Sequence, residues 1–462
     1  MIYLIIVYVL IMFAIGGYSY IKNEKSDDEY LVCGRSQGWV SSGLSVGATW
    51  IWAPALFVSA QQAYVNGLVG FFWFFVPNVL TLIFFGYVAS RFVRKFPQGY
   101  TLPQYMDSLY GGKVHKLYLL QFTVLQVMSM AVQLLAGGAV IALMTGWSYP
   151  FVVLFLALVA FGYSSLGGLR ASMVTDAVQM IFMIIAGIIS VILVISKMES
   201  GAISQGLAGI NGLGGSLFSK HFITVMLTTG ITTTIGLLAG PIGDQMFWQR
   251  VYAVRPENIR KSFTVGAISF GLIPLLFGLV GFAGAGSGFE AQNVEMVNME
   301  LVNKFAPPAI TFIVTILIMA GLGSTMDSGY CAITSLAEVD YKKYLRSVPK
   351  MALRWGSMLL LALFAILIAL IPNLQIFHLF LFYGTIRATT FIPTLVTILS
   401  KEIPDEKYIR RGLLLSLCVG VPAYAMGSIV GTWYLNLIGI LLTVGLSGIF
   451  AWAGVLAERR NA

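Results

Sequence analysis

Apolar residues fill long runs of this chain, and polar residues collect in short intervals between them. A helix that crosses a bilayer needs about 20 predominantly apolar residues, and about thirteen runs of that kind can be counted. They fall at residues 2–20, 39–61, 67–90, 114–144, 148–166, 172–196, 221–243, 262–285, 306–336, 351–371, 374–399, 412–430 and 433–456. The intervals leave no room for a separate soluble domain. The pattern therefore predicts an all-α integral membrane protein.

Two of the runs carry breakers at their centres. The run 39–61 contains Gly43, Gly47 and then Ala48-Thr49-Trp50-Ile51-Trp52-Ala53-Pro54. Pro54 has no backbone donor and disfavours helix at Ala53. A break near 48–54 frees carbonyls at mid-membrane, which is tolerated only against protein or a polar cavity. The run 221–243 has Gly230, Thr232-Thr233-Thr234, Gly236 and Gly240-Pro241. Matched interruptions in two halves of equal span count point to an inverted repeat. The expected division is an extra N-terminal helix and cytoplasmic loop at 1–38, a first five-helix repeat at 39–200, a second at 201–400, and two C-terminal helices at 401–462.

Composition agrees with the pattern: the 462 residues are 58% hydrophobic and 10% charged. Mean hydropathy is +0.85. A soluble core does not need that much apolar sequence. The net charge of +9 would suit a nucleic-acid partner, but its placement argues against one. Lys and Arg concentrate in alternate loops, among them Lys22, Lys25 and Arg35, the stretch 91–95, Arg250 with 255–261, the stretch 342–354, and 401–411. By the positive-inside rule those loops are cytoplasmic. The N-terminus is then outside and the C-terminus, with Arg459 and Arg460, inside. The first run lacks a basic n-region and reads as a retained helix. Cys33, Cys331 and Cys418 show neither disulfide nor metal spacing. The three histidines are scattered, no His–carboxylate cluster or nucleophile motif is legible, and the chain is not expected to be an enzyme.

Polar groups at membrane depth are the candidate chemistry. Gly321-Leu322-Gly323-Ser324-Thr325-Met326-Asp327-Ser328 follows an apolar run. Burying an acidic residue there costs about 2.5–3.5 kcal/mol on translocon scales. Ser324, Asp327 and Ser328 share one helical face. Hydroxyl and carboxylate oxygens on a Gly-loosened helix suit a small hard cation and point to ion-coupled transport. Asp176 and Arg387 are the other charges inside runs, and each is a functional candidate by default. A plainer alternative pairs Asp327 with Arg387 as mutual neutralisation. Trp50 and Trp52 beside the first break, with Trp73 in the following run, are candidates to line a solute pocket.

Several motifs together resemble the sodium/solute symporter family, which includes the proline and sodium–glucose transporters. They are Gly167-Gly168-Leu169-Arg170 with Val174-Thr175-Asp176 and Gln179; Asp244-Gln245 with Trp248-Gln249-Arg250; and residues 321–328 followed by Glu338, Asp340, Tyr341 and Lys342. The resemblance covers essentially the whole chain. It implies a LeuT-type fold of ten core helices working by alternating access. It implies a sodium ion held by the carbonyls of Ala48, Ile51 and Gly321 and the hydroxyls of Ser324 and Thr325. Asp176, with Asp327, becomes a possible second cation site or relay. Trp50 stands where the proline branch has an aspartate, and Ala55 and Leu237 stand where the glucose branch has polar sugar contacts. Residues 48–56, Tyr64-Val65-Asn66-Gly67, Phe72-Trp73 and residues 244–250 look most like the urea-transporter branch, some of whose members are proton-driven.

The expected function is sodium-coupled symport of a small polar solute, urea-like, across the cell membrane. Trp50, Trp52, Trp73, Gly240 and Arg387 are the expected solute contacts. Proton coupling, or an anionic solute held by Arg387, is the alternative. A membrane sensor or channel-like protein on the same fold is the alternative of another class.

Overall fold

The computed structural model describes residues 2–22 and 26–461; Lys25, expected in the first cytoplasmic loop, lies outside the described residues. Helix α1 (Ile2–Lys22), the short α2 (Asp27–Val32) and α3 (Trp39–Trp50) begin the chain. Next come α4 (Ala53–Lys95), α5 (Leu102–Tyr110), α6 (Gly112–Thr145) and α7 (Tyr149–Ile195). They are followed by α8 (Ala202–Gly206), α9 (Lys220–Val225), α10 (Ile231–Ala239), α11 (Gln245–Ala253) and α12 (Ile259–Gly286). The last are α13 (Val297–Phe305), α14 (Pro308–Ser335), α15 (Lys350–Ala369), α16 (Ile376–Leu399), α17 (Glu406–Leu415), α18 (Val421–Val430) and α19 (Trp433–Asn461).

Eleven helical stretches among the described residues are long and apolar enough to cross a membrane. Two of these, α4 and α7, are each two antiparallel legs, which raises the eleven to the thirteen crossings expected. The reversals sit at Gly67 (φ 59°, ψ −147°) and Gly168 (φ 59°, ψ −155°), a region open essentially to glycine alone. Both are also crowded: a Cβ would lie 2.2 Å from the Leu207 carbonyl at Gly67 and 2.6 Å from the Tyr30 ring at Gly168. Packing on α1 shows the turn directly. The first leg of α7 brings Gly162 to Phe13 and Gly167 to Gly16, and the second takes Gln179 back to Tyr8.

Helix α14 is central. Every residue from 314 to 338 is buried, so no face of this helix is left for lipid. The outer helices α1, α15 and α19 instead expose large apolar side chains such as Leu10, Leu363 and Ile449. α3 lies very close to α12: a Cβ on Gly43 would come within 2.6 Å of Val265, and one on Gly47 within 2.3 Å of Ser269 Oγ. Small residues permit such close backbone approach in membranes, and here they hold the broken segment after α3 against the bundle centre.

Candidate functional site

The first break is narrow. α3 ends at Trp50, Ile51 (φ −79°, ψ 85°) and Trp52 (φ −105°, ψ 172°) are non-helical, and α4 restarts with Pro54 in its first turn. Proline fits there because its missing donor would have had no helical partner. The Ala53 N–H donates to Gln133 Oε1 at 2.9 Å. The Ile51 N–H bonds back to the carbonyls of Gly47 at 3.1 Å and Ala48 at 3.0 Å.

Opposite the break, on α14, Thr325 Oγ1 lies 3.0 Å from the Ile51 carbonyl, 3.3 Å from that of Thr49 and 3.3 Å from that of Gly321. Four neutral oxygens thus converge where a helix is interrupted, a donor set that suits a small hard cation. Of the expected sodium ligands, the structure brings Ile51, Gly321 and Thr325 together. The Thr49 carbonyl joins them, a contact the sequence reading did not include. The Ala48 carbonyl is engaged by Ile51. The Ser324 hydroxyl donates elsewhere, to Asp176 Oδ1 at 2.6 Å.

Asp176 belongs to a fully buried polar network. Arg250 Nη2 donates to Asp176 Oδ2 at 2.7 Å and to Ser328 Oγ at 2.6 Å, while its Nε donates to Ser45 Oγ at 2.9 Å. Ser45 Oγ also donates to Asp176 Oδ2 at 2.6 Å. Arg250 was expected among the cytoplasmic loop charges, but it has 0% exposure on α11. A positive-inside count cannot separate an arginine that follows a membrane break from one in a loop.

Asp327 sits beside this network and, among the described residues, accepts from hydroxyls that include Ser172 at 2.7 Å, Thr175 at 3.2 Å and Ser328 at 3.3 Å. The suggested Asp327–Arg387 neutralisation is not found. Arg387 pairs with Asp244 at 2.7 Å, and Asp176 takes Arg250. The missed partner had a local signal, since Asp244 caps α11 by accepting the Met246 N–H at 3.1 Å, the role of an aspartate placed just before a helix.

The second break, between α10 and α11, brings Gly240 against the edge of Trp50, where a Cβ would lie 2.5 Å from the ring. Trp50 and Trp52 ring centroids are 5.8 Å apart. The Arg387 guanidinium lies 5.8 Å from the Trp50 ring, 5.3 Å from Trp52 and 3.7 Å from Tyr383. Asp244 also accepts from Tyr383 Oη and from Gln126 Nε2, each at 2.9 Å. Arg387 hydrogen-bonds Tyr383 as well. Within this group Arg387 Nε and Nη1, the indole N–H groups of Trp50 and Trp52, and Gln126 Oε1 are buried with no hydrogen-bond partner among the described residues.

Trp73 is not part of that cluster. Its ring contacts are with Phe72 and Phe222, and it packs on Gly230. Trp73 lies on the second leg of α4, after the Gly67 reversal, and its ring meets Phe222 rather than the residues of the break. The fold also assembles a His–carboxylate group that the scattered histidines did not suggest. His115 lies 2.8 Å from Asp340, which accepts from Thr101 at 2.7 Å. These partners lie at the basic-rich end of the bundle and are separate from the residues around the breaks.

Comparison with known proteins bears on the fold and the family. A Na+-coupled sialic acid symporter in a substrate-bound outward-open state superposes with a TM-score of 0.77 at 16% identity, covering 96% of each chain. MhsT in complex with L-phenylalanine gives 0.58 at 14% identity, covering 91% of this chain and 99% of that one. The fold is therefore of the LeuT type, as expected.

Among curated sequences, "Probable urea active transporter 1" of Schizosaccharomyces pombe is 24% identical over 73% of this chain and 55% of its own length. "Urea-proton symporter DUR3" of Oryza sativa is 22% identical over 71% and 50%. This chain thus spans about half the length of these urea-transporter relatives. The "Sodium/pantothenate symporter" of Haemophilus influenzae is 24% identical over 99% of this chain and 96% of that protein. The family profile described as "Sodium:solute symporter family" matches residues 30–420. With most of the chain inside that match, the protein is a member of the sodium:solute symporter family, with helices long and apolar enough to span a membrane.

Proposed function

We propose that this protein couples inward movement of sodium to uptake of a small, neutral, polar solute of the urea type, by alternating access. The observation that carries the reading is the convergence of the Thr49, Ile51 and Gly321 carbonyls on Thr325 Oγ1. A cation bound there joins the broken segment after α3 to α14. It would stabilise the arrangement in which Trp50 and Trp52, carried on the same break, are set to receive solute. Each charge moving down a 100 mV potential supplies about 2.3 kcal/mol to that cycle.

The solute class follows from charge balance. Arg387 would attract an anion, but Asp244 already neutralises it at 2.7 Å. What remains unpaired is a set of N–H donors on Arg387, Trp50 and Trp52 with one acceptor on Gln126. A buried polar group left without a partner costs about 1–3 kcal/mol. A flat neutral molecule with a carbonyl oxygen and N–H groups can satisfy both kinds. The names of the Schizosaccharomyces pombe and Oryza sativa relatives point the same way.

Proton coupling is the second reading. It is favoured by two buried carboxylates, Asp176 and Asp327, sharing a region with the single guanidinium of Arg250. On either reading we place the basic-rich loops in the cytoplasm and the N-terminus outside, and we assign the two five-helix repeats to 39–200 and 201–400. Initial uptake of labelled urea into vesicles carrying the protein, with sodium and pH gradients imposed separately, tests the proposal. Uptake that follows neither gradient overturns coupled transport, and the sensor or channel-like alternative then takes its place.

A further inference from the structure

A cleft of 360 Å³ opens on the outer side of the bundle between α6, the end of α14 and α15. That volume lies within the range of roughly 300–1,000 Å³ usual for small-ligand sites. Its lining changes character along its length. Leu360 and Phe364 form the apolar end. Thr123 and Tyr341, whose hydroxyls are 2.9 Å apart, form a polar band with Ser357. Tyr341 and Leu345 close the other end, next in sequence to Lys342, Lys343 and Arg346.

The rim beyond that end is cationic, and part of its charge is uncommitted. Lys343, Lys350 and Arg354 pair with Asp107, Asp27 and Glu338. Lys116 and Arg346 are exposed and have no carboxylate partner among the described residues. Lys116 lies 5.3 Å from the Tyr344 ring, and it precedes Thr123 by two helical turns on the same face of α6. No Asp or Glu occurs from residue 341 to 401. The apolar end opens toward lipid, because Leu359 and Leu363 beside it on α15 are about half exposed, at 51% and 50%.

We propose that this cleft is a binding site for an anionic diacyl phospholipid. One acyl chain lies against Leu360 and Phe364, the ester and glycerol region meets the hydroxyls of Thr123, Tyr341 and Ser357, and the phosphate meets Lys116 and Arg346. A cleft that is apolar at one end, hydroxyl-bearing in the middle and cationic at the other matches the order of groups in such a lipid. Basic pockets between membrane helices are known anionic headgroup sites. The inference does not depend on the identity of the solute or of the coupling ion.

The test is native mass spectrometry of the full-length protein in detergent, titrated with phosphatidylglycerol or phosphatidylcholine of the same chain length. Preferential retention of one phosphatidylglycerol is expected. Lys116→Gln with Arg346→Gln should weaken that binding about twenty-five-fold, since each basic residue near an anionic lipid surface contributes about a factor of five. Gly356→Phe should abolish binding of the lipid without changing charge, because a side chain added at Gly356 enters space with nothing within 4 Å. The exposed charge variants keep the test informative if Gly356→Phe fails to fold. Glycerol 3-phosphate should not compete, which separates a lipid from a free phosphate ester. Equal retention of the two lipids, insensitivity to both variants, or a dimer cross-linked through Leu360 that covers the cleft would overturn the proposal.

Discussion

Asp244 and Arg387, 143 residues apart in sequence, meet at 2.7 Å in the membrane interior, and neither side chain is more than 3% exposed. Removing one partner of a buried ion pair strands the other and costs about 3–5 kcal/mol. Asp244→Asn should therefore lower the thermal unfolding temperature in detergent. Pairing it with Arg387→Gln should recover part of the loss. Where enough Asp244→Asn protein survives, uptake should shift from urea toward small monocarboxylates, because Arg387 is no longer neutralised. Unaltered preference would remove the charge-balance argument for a neutral solute.

The two neighbouring hydroxyls on α14 should separate by function. Thr325 faces the carbonyls of the break, and Ser324 faces Asp176. Thr325→Ala should raise the sodium concentration for half-maximal uptake by about tenfold, the loss of roughly 1.4 kcal/mol of cation binding. Ser324→Ala should have a clearly smaller effect. Equal effects would show that Ser324 reorients to bind the ion as well.

The two buried carboxylates should differ in stability. Asp176→Asn leaves Arg250 buried without its carboxylate, a loss of about 3–5 kcal/mol. Among the described residues Asp327 accepts from hydroxyls, which an amide oxygen can still satisfy. Asp327→Asn should fold close to normally and show its effect in the pH dependence of uptake. The comparison needs thermal unfolding of both variants and uptake across a pH series for Asp327→Asn.

Trp52 and Trp73 offer a contrast within one residue type. Trp52 lies 5.3 Å from the Arg387 guanidinium, whereas Trp73 packs on Phe222. Trp52→Phe should raise the urea concentration for half-maximal uptake several-fold, since it removes an unpartnered indole N–H from the site. Trp73→Phe should leave that concentration unchanged.

Gly168 reverses α7 at φ 59°, ψ −155° and is packed on Tyr30. Forcing an L-residue into such a conformation costs about 1–3 kcal/mol, and the contact adds to it. Gly168→Ala should lower the unfolding temperature. Gly17→Ala, where a Cβ meets nothing within 4 Å, should be nearly neutral.

The fold was readable from sequence because its determinants are local. Apolar run length set the crossings, Pro54 set the first break, and Gly240-Pro241 set the second. Much of the candidate ion site was also legible, since Gly321 and Thr325 lie on one helix and Ile51 lies at the break. The partners of the charges were not. Arg250 resembled a loop residue until the turn after Pro241 returned α11 to the bundle centre. Asp327 was the partner the sequence suggested for Arg387, and only the approach of α16 to the second break decides for Asp244. Ser324 and Thr325 are adjacent in sequence, so they point about 100° apart around the helix. Their separate duties could not be read without knowing where α3 and α7 pack.

Initial urea uptake into proteoliposomes, at equal pH on both sides and with the membrane potential clamped, tests the central claim most directly. An inward sodium gradient should raise the rate several-fold over potassium, and Thr325→Ala should need about tenfold more sodium for the same increase. Equal rates in sodium and potassium for the unaltered protein would contradict sodium coupling through Thr49, Ile51, Gly321 and Thr325.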